Sequence, residues 1–265
     1  MNKAPKIGLA LSSGNWRGLA HIGVIRTLCQ HNIPIDCITG CSAGALVGGM
    51  YAALGDIDQV IKILEEFSYH KLIKVFLDPD PRKVAVKGRK LIQTLETYLN
   101  GIKIEDLDIK FAALTVDMIT GQPVLLDKGN LACAIRASCA VPAVFCPVEI
   151  DCYQLVDGGA IAPIPVEACR QIGAEYVIAV NLYNNLFPVK NITGIHAVIN
   201  TIKIMMLQLA ANNCQQADLC LYPDIKEAPL KKSLNMFLHG EKTIKAGMIA
   251  TEKEIAQVKQ LLGRS

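Results

Sequence analysis

A chain of 265 residues, 51% apolar but only 5% aromatic, is long enough for a substantial core. Its interior should be built from Ile, Leu, Val and Ala, as in buried parallel strands flanked by helices. This composition excludes disorder, and a net charge of +3 with no basic stripe interleaved with aromatics excludes a nucleic-acid binder.

The first apolar run, IGLAL at 7–11, is too short for a secretory h-region, and no run approaches the ~18 apolar residues of a membrane span. The ten cysteines include no C-x-x-C pair and no Cys/His cluster at zinc-ligand spacing. A cytoplasmic setting with free thiols is therefore expected.

KIGLAL (6–11) predicts a strand, SSGNWRG a loop, and LAHIGVIRTLCQHN (19–32) a helix from its apolar spacing. PIDCITG (34–40) predicts a second strand and AGALVGGMYAALG (43–55) a helix stopped by Gly55; another helix runs from Asp56 to about Phe67. Buried strands alternating with helices indicate a parallel sheet with right-handed crossovers.

Residues 70–90 carry seven Lys and Arg residues, with Pro79 and Pro81 against a helix, and read as an irregular excursion. A helix at 89–99 precedes strands 110–118 and 122–127, joined through Ile119-Thr120-Gly121 as a hairpin. Then come a helix at 131–140, a strand and turn at 148–159, a helix at 165–173 and a buried strand at 176–182. Last are a helix near 194–211, a short strand at 219–222 and a final helix from about 242 to 262. With no repeat and no linker rich in Gly, Ser or Pro, residues 1–265 are expected to form one domain of the α/β class, a three-layer sandwich with a mainly parallel central sheet.

Three stretches carry the chemistry. Gly40-Cys41-Ser42-Ala43-Gly44 matches G-x-S-x-G between a predicted strand and helix. A nucleophile elbow needs that context, with glycines where the crowded turn leaves no room for side chains. The helix N-terminus would also favour an anion beside Ser42. In Ser13-Gly14-Asn15-Trp16-Arg17-Gly18, a turn after the first strand directs N–H groups above the sheet edge, as an anion hole would. It carries neither a dinucleotide fingerprint nor a P-loop. The third stretch is Asp157-Gly158-Gly159, which taken alone is an ordinary turn.

The order of these pieces, with GLAHIGVIRTL, SAGALVGGMYA, TVDMITG and IRASCAVPAVFCPVEI between them, resembles the patatin-like phospholipase family. The likeness is to its compact bacterial branch and to the catalytic domain of neuropathy target esterase. It runs from about Ile7 to Val166 and implies a patatin-like fold and a lipase or phospholipase acting on a lipid or lysolipid ester. It further implies a Ser42–Asp157 dyad working without metal or cofactor. By the same resemblance, N–H groups of Ser13, Gly14 and Asn15 hold the oxyanion and Arg17 shapes their loop. The chain departs from the family there: Ser13-Gly14-Asn15 replaces consecutive glycines, and Trp16 stands where a small residue is common. Backbone donors survive any side chain except proline, and Asn tolerates positive φ.

Other readings stay open at this level. A catalytically weak scaffold serving as a regulatory interaction protein fits the altered loop. His196 or His239 after Asp157 allows a Ser-Asp-His order, although that fold places more strands ahead of its nucleophile. Trp16 suits either packing or a lipid interface. The basic excursion suits either solvent or anionic headgroups, which would give peripheral membrane contact. Ser138 and Pro142 are expected to shape the turn behind the site and Cys41 to pack beneath it; oligomeric state is not encoded legibly.

Overall fold

The computed structural model describes residues 4–66, 79–80, 85–184, 193–225 and 240–263. The chain opens with β1 (Ile7–Leu11), a single 3-10 turn (Asn15–Gly18), α1 (Leu19–Gln30), β2 (Cys37–Gly40), α2 (Ala43–Leu54) and α3 (Ile57–Glu66). Gly55 ends α2 in the left-handed conformation at φ 67°, as its lack of a Cβ allows. Two short strands, β3 (Pro79–Asp80) and β4 (Ala85–Val86), pair antiparallel before α4 (Arg89–Leu99). The rest of the basic excursion, with Lys71, Lys74, Arg82 and Lys83, lies outside the described residues.

There follow β5 (Lys110–Asp117), β6 (Pro123–Leu126), α5 (Leu131–Ser138), β7 (Val148–Ile150), β8 (Tyr153–Asp157) and α6 (Val166–Gln171). The last elements are β9 (Tyr176–Val180), α7 (Ile195–Gln215), β10 (Leu219–Leu221) and α8 (Glu241–Leu261). The single strand expected before Asp157 is instead the hairpin β7–β8, because Asp151 turns the chain back with φ 53°. Asp and Asn accept that conformation more readily than most residues.

The sheet runs β10-β9-β1-β2-β5-β8-β7, with β6 also paired to β5. Strands β10, β9, β1, β2 and β5 are parallel, while β6, β8 and β7 add antiparallel pairs. Side chains alternate across the sheet. Ile7, Leu9 and Leu11 of β1 and Ile178 and Val180 of β9 enter one core, with residues of α1 to α5 and α8. Ala10, Val177 and Ala179 face the other, with Val166 and Cys169 of α6 and Ala210 and Cys214 of α7. Helices thus cover both faces, giving the three layers expected. All eight residues just named from β1 and β9 are fully buried.

One expectation about the cysteines is corrected. Cys214 at the end of α7 and Cys220 in β10 are joined as a disulfide across a six-residue separation, their Cα atoms 5.9 Å apart. The short return from helix to adjoining strand brings them together, whereas the other eight are free thiols. Among the described residues no helix is long and apolar enough to cross a membrane.

Candidate active site

Parallel strands β1, β2 and β9 end at one edge of the sheet, and the loops leaving them carry Ser13, Ser42 and Tyr183. Ser42 follows β2 directly and adopts φ 53°, ψ −116°, a conformation that costs a non-glycine residue about 1–3 kcal/mol and persists only where its surroundings enforce it. The enforcement is visible. Cys41 N–H donates to the Leu11 carbonyl (3.1 Å) and Gly44 N–H to the Cys41 carbonyl (2.9 Å). Ser42 N–H donates to Ser138 Oγ (2.9 Å), whose hydroxyl donates to the Leu114 carbonyl (2.8 Å). Ser138 therefore braces the elbow, in keeping with the expectation that it shapes the turn.

The two flanking glycines are required sterically. A Cβ on Gly40 would fall on the Ala45 backbone, and one on Gly44 on the Leu11 carbonyl. Ser42 begins α2, so its hydroxyl lies at the positive end of a 12-residue helix.

Asp157 ends β8, whose pairing with β5 (Thr115 opposite Asp157) brings it to the same edge. Its Oδ1 accepts the Gly159 N–H (2.8 Å) and the Cys41 thiol (3.4 Å), and its carboxylate lies near enough to the Ser42 hydroxyl to interact with it. Ser42 and Asp157, 115 positions apart in sequence, thus meet in space, 8% and 7% exposed. Burial raises the Asp157 pKa above the ordinary aspartate range, against the opposing influence of the neighbouring Ser42, Gly159 and Cys41 groups. Gly158 cannot carry a side chain, since a Cβ there would lie 2.5 Å from the Leu114 carbonyl oxygen.

In the loop after β1, the Gly14 and Asn15 N–H groups donate to no acceptor among the described residues. Asn15 takes φ 54°, which its side chain tolerates. Ser13 differs from expectation: its N–H donates to the Pro163 carbonyl at 2.9 Å and is unavailable to an anion. Its hydroxyl lies 2.5 Å from the Tyr183 hydroxyl. Arg17 holds the loop, donating to the Gly14 (3.2 Å) and Leu182 (3.0 Å) carbonyls with its guanidinium over the Tyr183 ring. Trp16 is 5% exposed within the core, which resolves it as a packing residue.

Among the described residues no histidine hydrogen-bonds the Asp157 carboxylate. His21 is buried with Nε2 on the Ser12 carbonyl (2.8 Å), His31 contacts Glu252 on the surface, and His196 is exposed. His70 and His239 lie outside the described residues. Among the described residues no group of three or more His, Cys, Asp or Glu could hold a metal ion. A cleft of about 430 Å³ is bordered by Tyr183, Leu207, Ala211 and Tyr222.

Tyr183 is the residue that sequence reading missed. It sits immediately after the strand segment YVIAVNL, and only the parallel pairing of β9 with β1 puts it against Ser13.

A serine on a strained strand-to-helix elbow, meeting a carboxylate over a three-layer α/β sheet, defines a candidate serine–aspartate site. Residues 9–170 match the family model described as patatin-like phospholipase, and the chain belongs to that family. It is 35% identical over 182 residues to an uncharacterized NTE family protein of Mycobacterium bovis, covering 68% of this chain and 50% of that protein. It is 30% identical over 182 residues to the neuropathy target esterase sws of Drosophila melanogaster, covering 66% of this chain and 13% of that protein. The chain therefore spans half or less of these relatives. The crystal structure of VipD from Legionella pneumophila shares the fold, with a TM-score of 0.54 at 13% identity, covering 97% of this chain and 67% of that one.

Proposed function

We propose that the protein is a serine acyl hydrolase acting on lipid or lysolipid esters through Ser42 and Asp157. The observation that carries this reading is the strained elbow that presents Ser42 beside the buried Asp157 carboxylate, near enough for the two side chains to interact. Ser42 Oγ attacks the ester carbonyl as Asp157 takes its proton. The resulting oxyanion accepts the N–H groups of Gly14 and Asn15, at the positive end of α2. On collapse, Asp157 returns the proton to the leaving alcohol, and Ser42 is left acylated. Water then attacks the acyl carbon with Asp157 again as base, and the proton passes back to Ser42. An ordinary Asp titrates near ~4 and is a weak base at neutral pH; burial in the site strengthens this one.

The lipid class is supported by the family and by relatives named as neuropathy target esterase and lysophospholipase. Contact with a lipid surface is part of the proposal. Met118 and Ile119, immediately beyond the β5 residue Asp117, are 59% and 77% exposed, and large apolar side chains left in water mark contact surfaces.

A fluorophosphonate probe and a lysophospholipid hydrolysis assay test the reading together. Labelling and turnover should disappear in Ser42→Ala, and turnover in Asp157→Asn. The engagement of the Ser13 N–H by Pro163 favours the second reading, a weakly active scaffold serving a regulatory partner, since one missing oxyanion donor costs about 10²–10³ in rate. A wild-type chain that is folded yet neither labelled nor active would support the scaffold.

A further inference from the structure

The loop that presents the Gly14 and Asn15 N–H groups is clamped between two segments. On one side its ends rest on the elbow, where Gly18 packs on Ala43 and Gly44 on the carbonyls of Leu11 and Ser12. On the other side lies Asn181-Leu182-Tyr183, the stretch that leaves β9 at the same edge of the sheet.

Contacts with this stretch follow the loop from end to end. The Ser13 and Tyr183 hydroxyls are hydrogen-bonded at 2.5 Å. A Cβ on Gly14 would lie 2.9 Å from Leu182 Cδ1, so glycine lets the two segments pack closely. Arg17 donates through Nη1 to the Leu182 carbonyl (3.0 Å) and through Nε to the Gly14 carbonyl (3.2 Å), with its guanidinium carbon 5.3 Å from the centre of the Tyr183 ring.

Tyr183 is itself held. The Asn181 side-chain oxygen accepts the Tyr183 N–H (2.7 Å), an Asx turn that fixes the backbone two residues on. The Asn181 amide donates to the Cys214 sulfur (3.3 Å) and its main-chain N–H to the Leu221 carbonyl of β10 (2.9 Å). Ser13, Asn181 and Tyr183 are only 4–5% exposed. Where water cannot substitute, an unmade hydrogen bond is costly, so the three side chains keep one arrangement.

We propose that Tyr183 is a positioning residue for the reaction: locked by Asn181, it fixes the Ser13–Arg17 loop so that the Gly14 and Asn15 N–H groups meet the oxyanion formed on Ser42. The proposal rests on the hydrolase reading above. Tyr183 acts through Ser13 and the loop backbone rather than on the ester. A glycine at position 13 would have no hydroxyl for Tyr183 to hold, so the departure from consecutive glycines gives this loop an anchor. The Ser13 N–H on the Pro163 carbonyl is a second fixed point. Two donors then remain for the anion, and their aim decides how much stabilisation is realised, since a displacement of ~1 Å can cost about 10²-fold in rate.

The test compares turnover of a short p-nitrophenyl ester with inhibition by an alkyl trifluoromethyl ketone. When the ketone adds, the Ser42 Oγ–carbon bond forms, the carbonyl π pair moves onto oxygen and Asp157 takes the serine proton, so the adduct places an oxyanion before the loop without a leaving group. Tyr183→Phe should lower kcat per labelled site about 5- to 20-fold, less than the ~10²–10³ of losing a donor outright. KM should stay within about twofold, and the ketone Ki should rise by the same factor as kcat/KM falls, as an interaction made only with the tetrahedral species requires.

Ser13→Ala removes the other half of the same bond and should match Tyr183→Phe, with the double variant losing no more than either alone. Asn181→Ala should act in the same direction, and Asn181→Ser, whose hydroxyl can accept the Tyr183 N–H, should recover part of the loss. Urea midpoints on the same preparations separate a loosened loop from a loosened fold, which lowers the midpoint and the labelled fraction but not kcat per labelled site. If Tyr183→Phe folds poorly, Ser13→Ala carries the test. Unchanged kcat per labelled site and unchanged ketone affinity in the folded variants, or a rise in KM alone, would overturn the positioning role and leave the hydrolase reading intact. A folded wild type neither labelled at Ser42 nor active would overturn that reading and this role with it.

Discussion

Replacing Ser138 with alanine removes one oxygen and unties two buried backbone groups. The Ser42 N–H loses its acceptor at 2.9 Å and the Leu114 carbonyl its donor at 2.8 Å, at a residue with no solvent exposure. An unsatisfied buried donor costs about 1–3 kcal/mol, and a carbonyl somewhat less because its second lone pair is tolerant. The fold should therefore lose about 2–4 kcal/mol. In urea denaturation this appears as a lower midpoint at unchanged slope.

The elbow suffers separately. The same bond helps hold Ser42 at φ 53°, and if it supplies about 1.4 kcal/mol toward that conformer, its loss slows fluorophosphonate labelling about tenfold. Both effects are read on one preparation, and Ser138→Thr, which keeps the hydroxyl, should recover labelling if its methyl is accommodated. A Ser138→Ala variant as stable as wild type and labelled at the same rate would refute the idea that this hydroxyl braces the elbow.

Asp157→Asn should abolish turnover yet raise stability near neutral pH. A carboxyl whose pKa is raised in the fold binds protons more readily there than when unfolded, so its ionisation opposes folding as pH rises. Matched denaturation curves check this, and a destabilised Asn variant would contradict the burial argument. His21 works in the opposite sense: burial lowers it from 6.5 to about 4, so the unfolded chain binds its proton first. Its contribution is intact above pH 6.5 and is lost as pH falls toward 4, up to about 3 kcal/mol. His21→Gln should flatten that part of the stability profile, measured by urea midpoints from pH 7 to 4. Gly44→Ala should fail to give a labelled, folded protein, because its Cβ would meet the Leu11 carbonyl.

Local pattern made much of the fold legible. The apolar runs at β1, β2 and β9, the helical spacing after each, Gly55 as a helix stop and the hairpin through Ile119-Thr120-Gly121 are all local signals, and the chain obeys them. Ser42 stands out because it sits in a glycine-framed turn between strand and helix, whereas Asp157-Gly158-Gly159 alone reads as an ordinary turn and is singled out only by the family resemblance. What escaped depends on neighbours remote in sequence. Asp151 turns one strand into two by adopting positive φ, which an Asp-Cys pair does not advertise. The Ser13 N–H is taken by Pro163, 150 positions away, and Tyr183 reaches Ser13 only through the β1–β9 pairing. The Cys214–Cys220 disulfide spans a helix-to-strand return that no cysteine spacing rule describes.

The most direct measurement is the mass of the protein after fluorophosphonate treatment, with the modified peptide sequenced. One adduct per chain, on Ser42, formed far more slowly in Asp157→Asn, is the expected result. An adduct on any other residue, or labelling of Ser42 that ignores the loss of the Asp157 carboxylate, would mean that these two side chains do not share a proton.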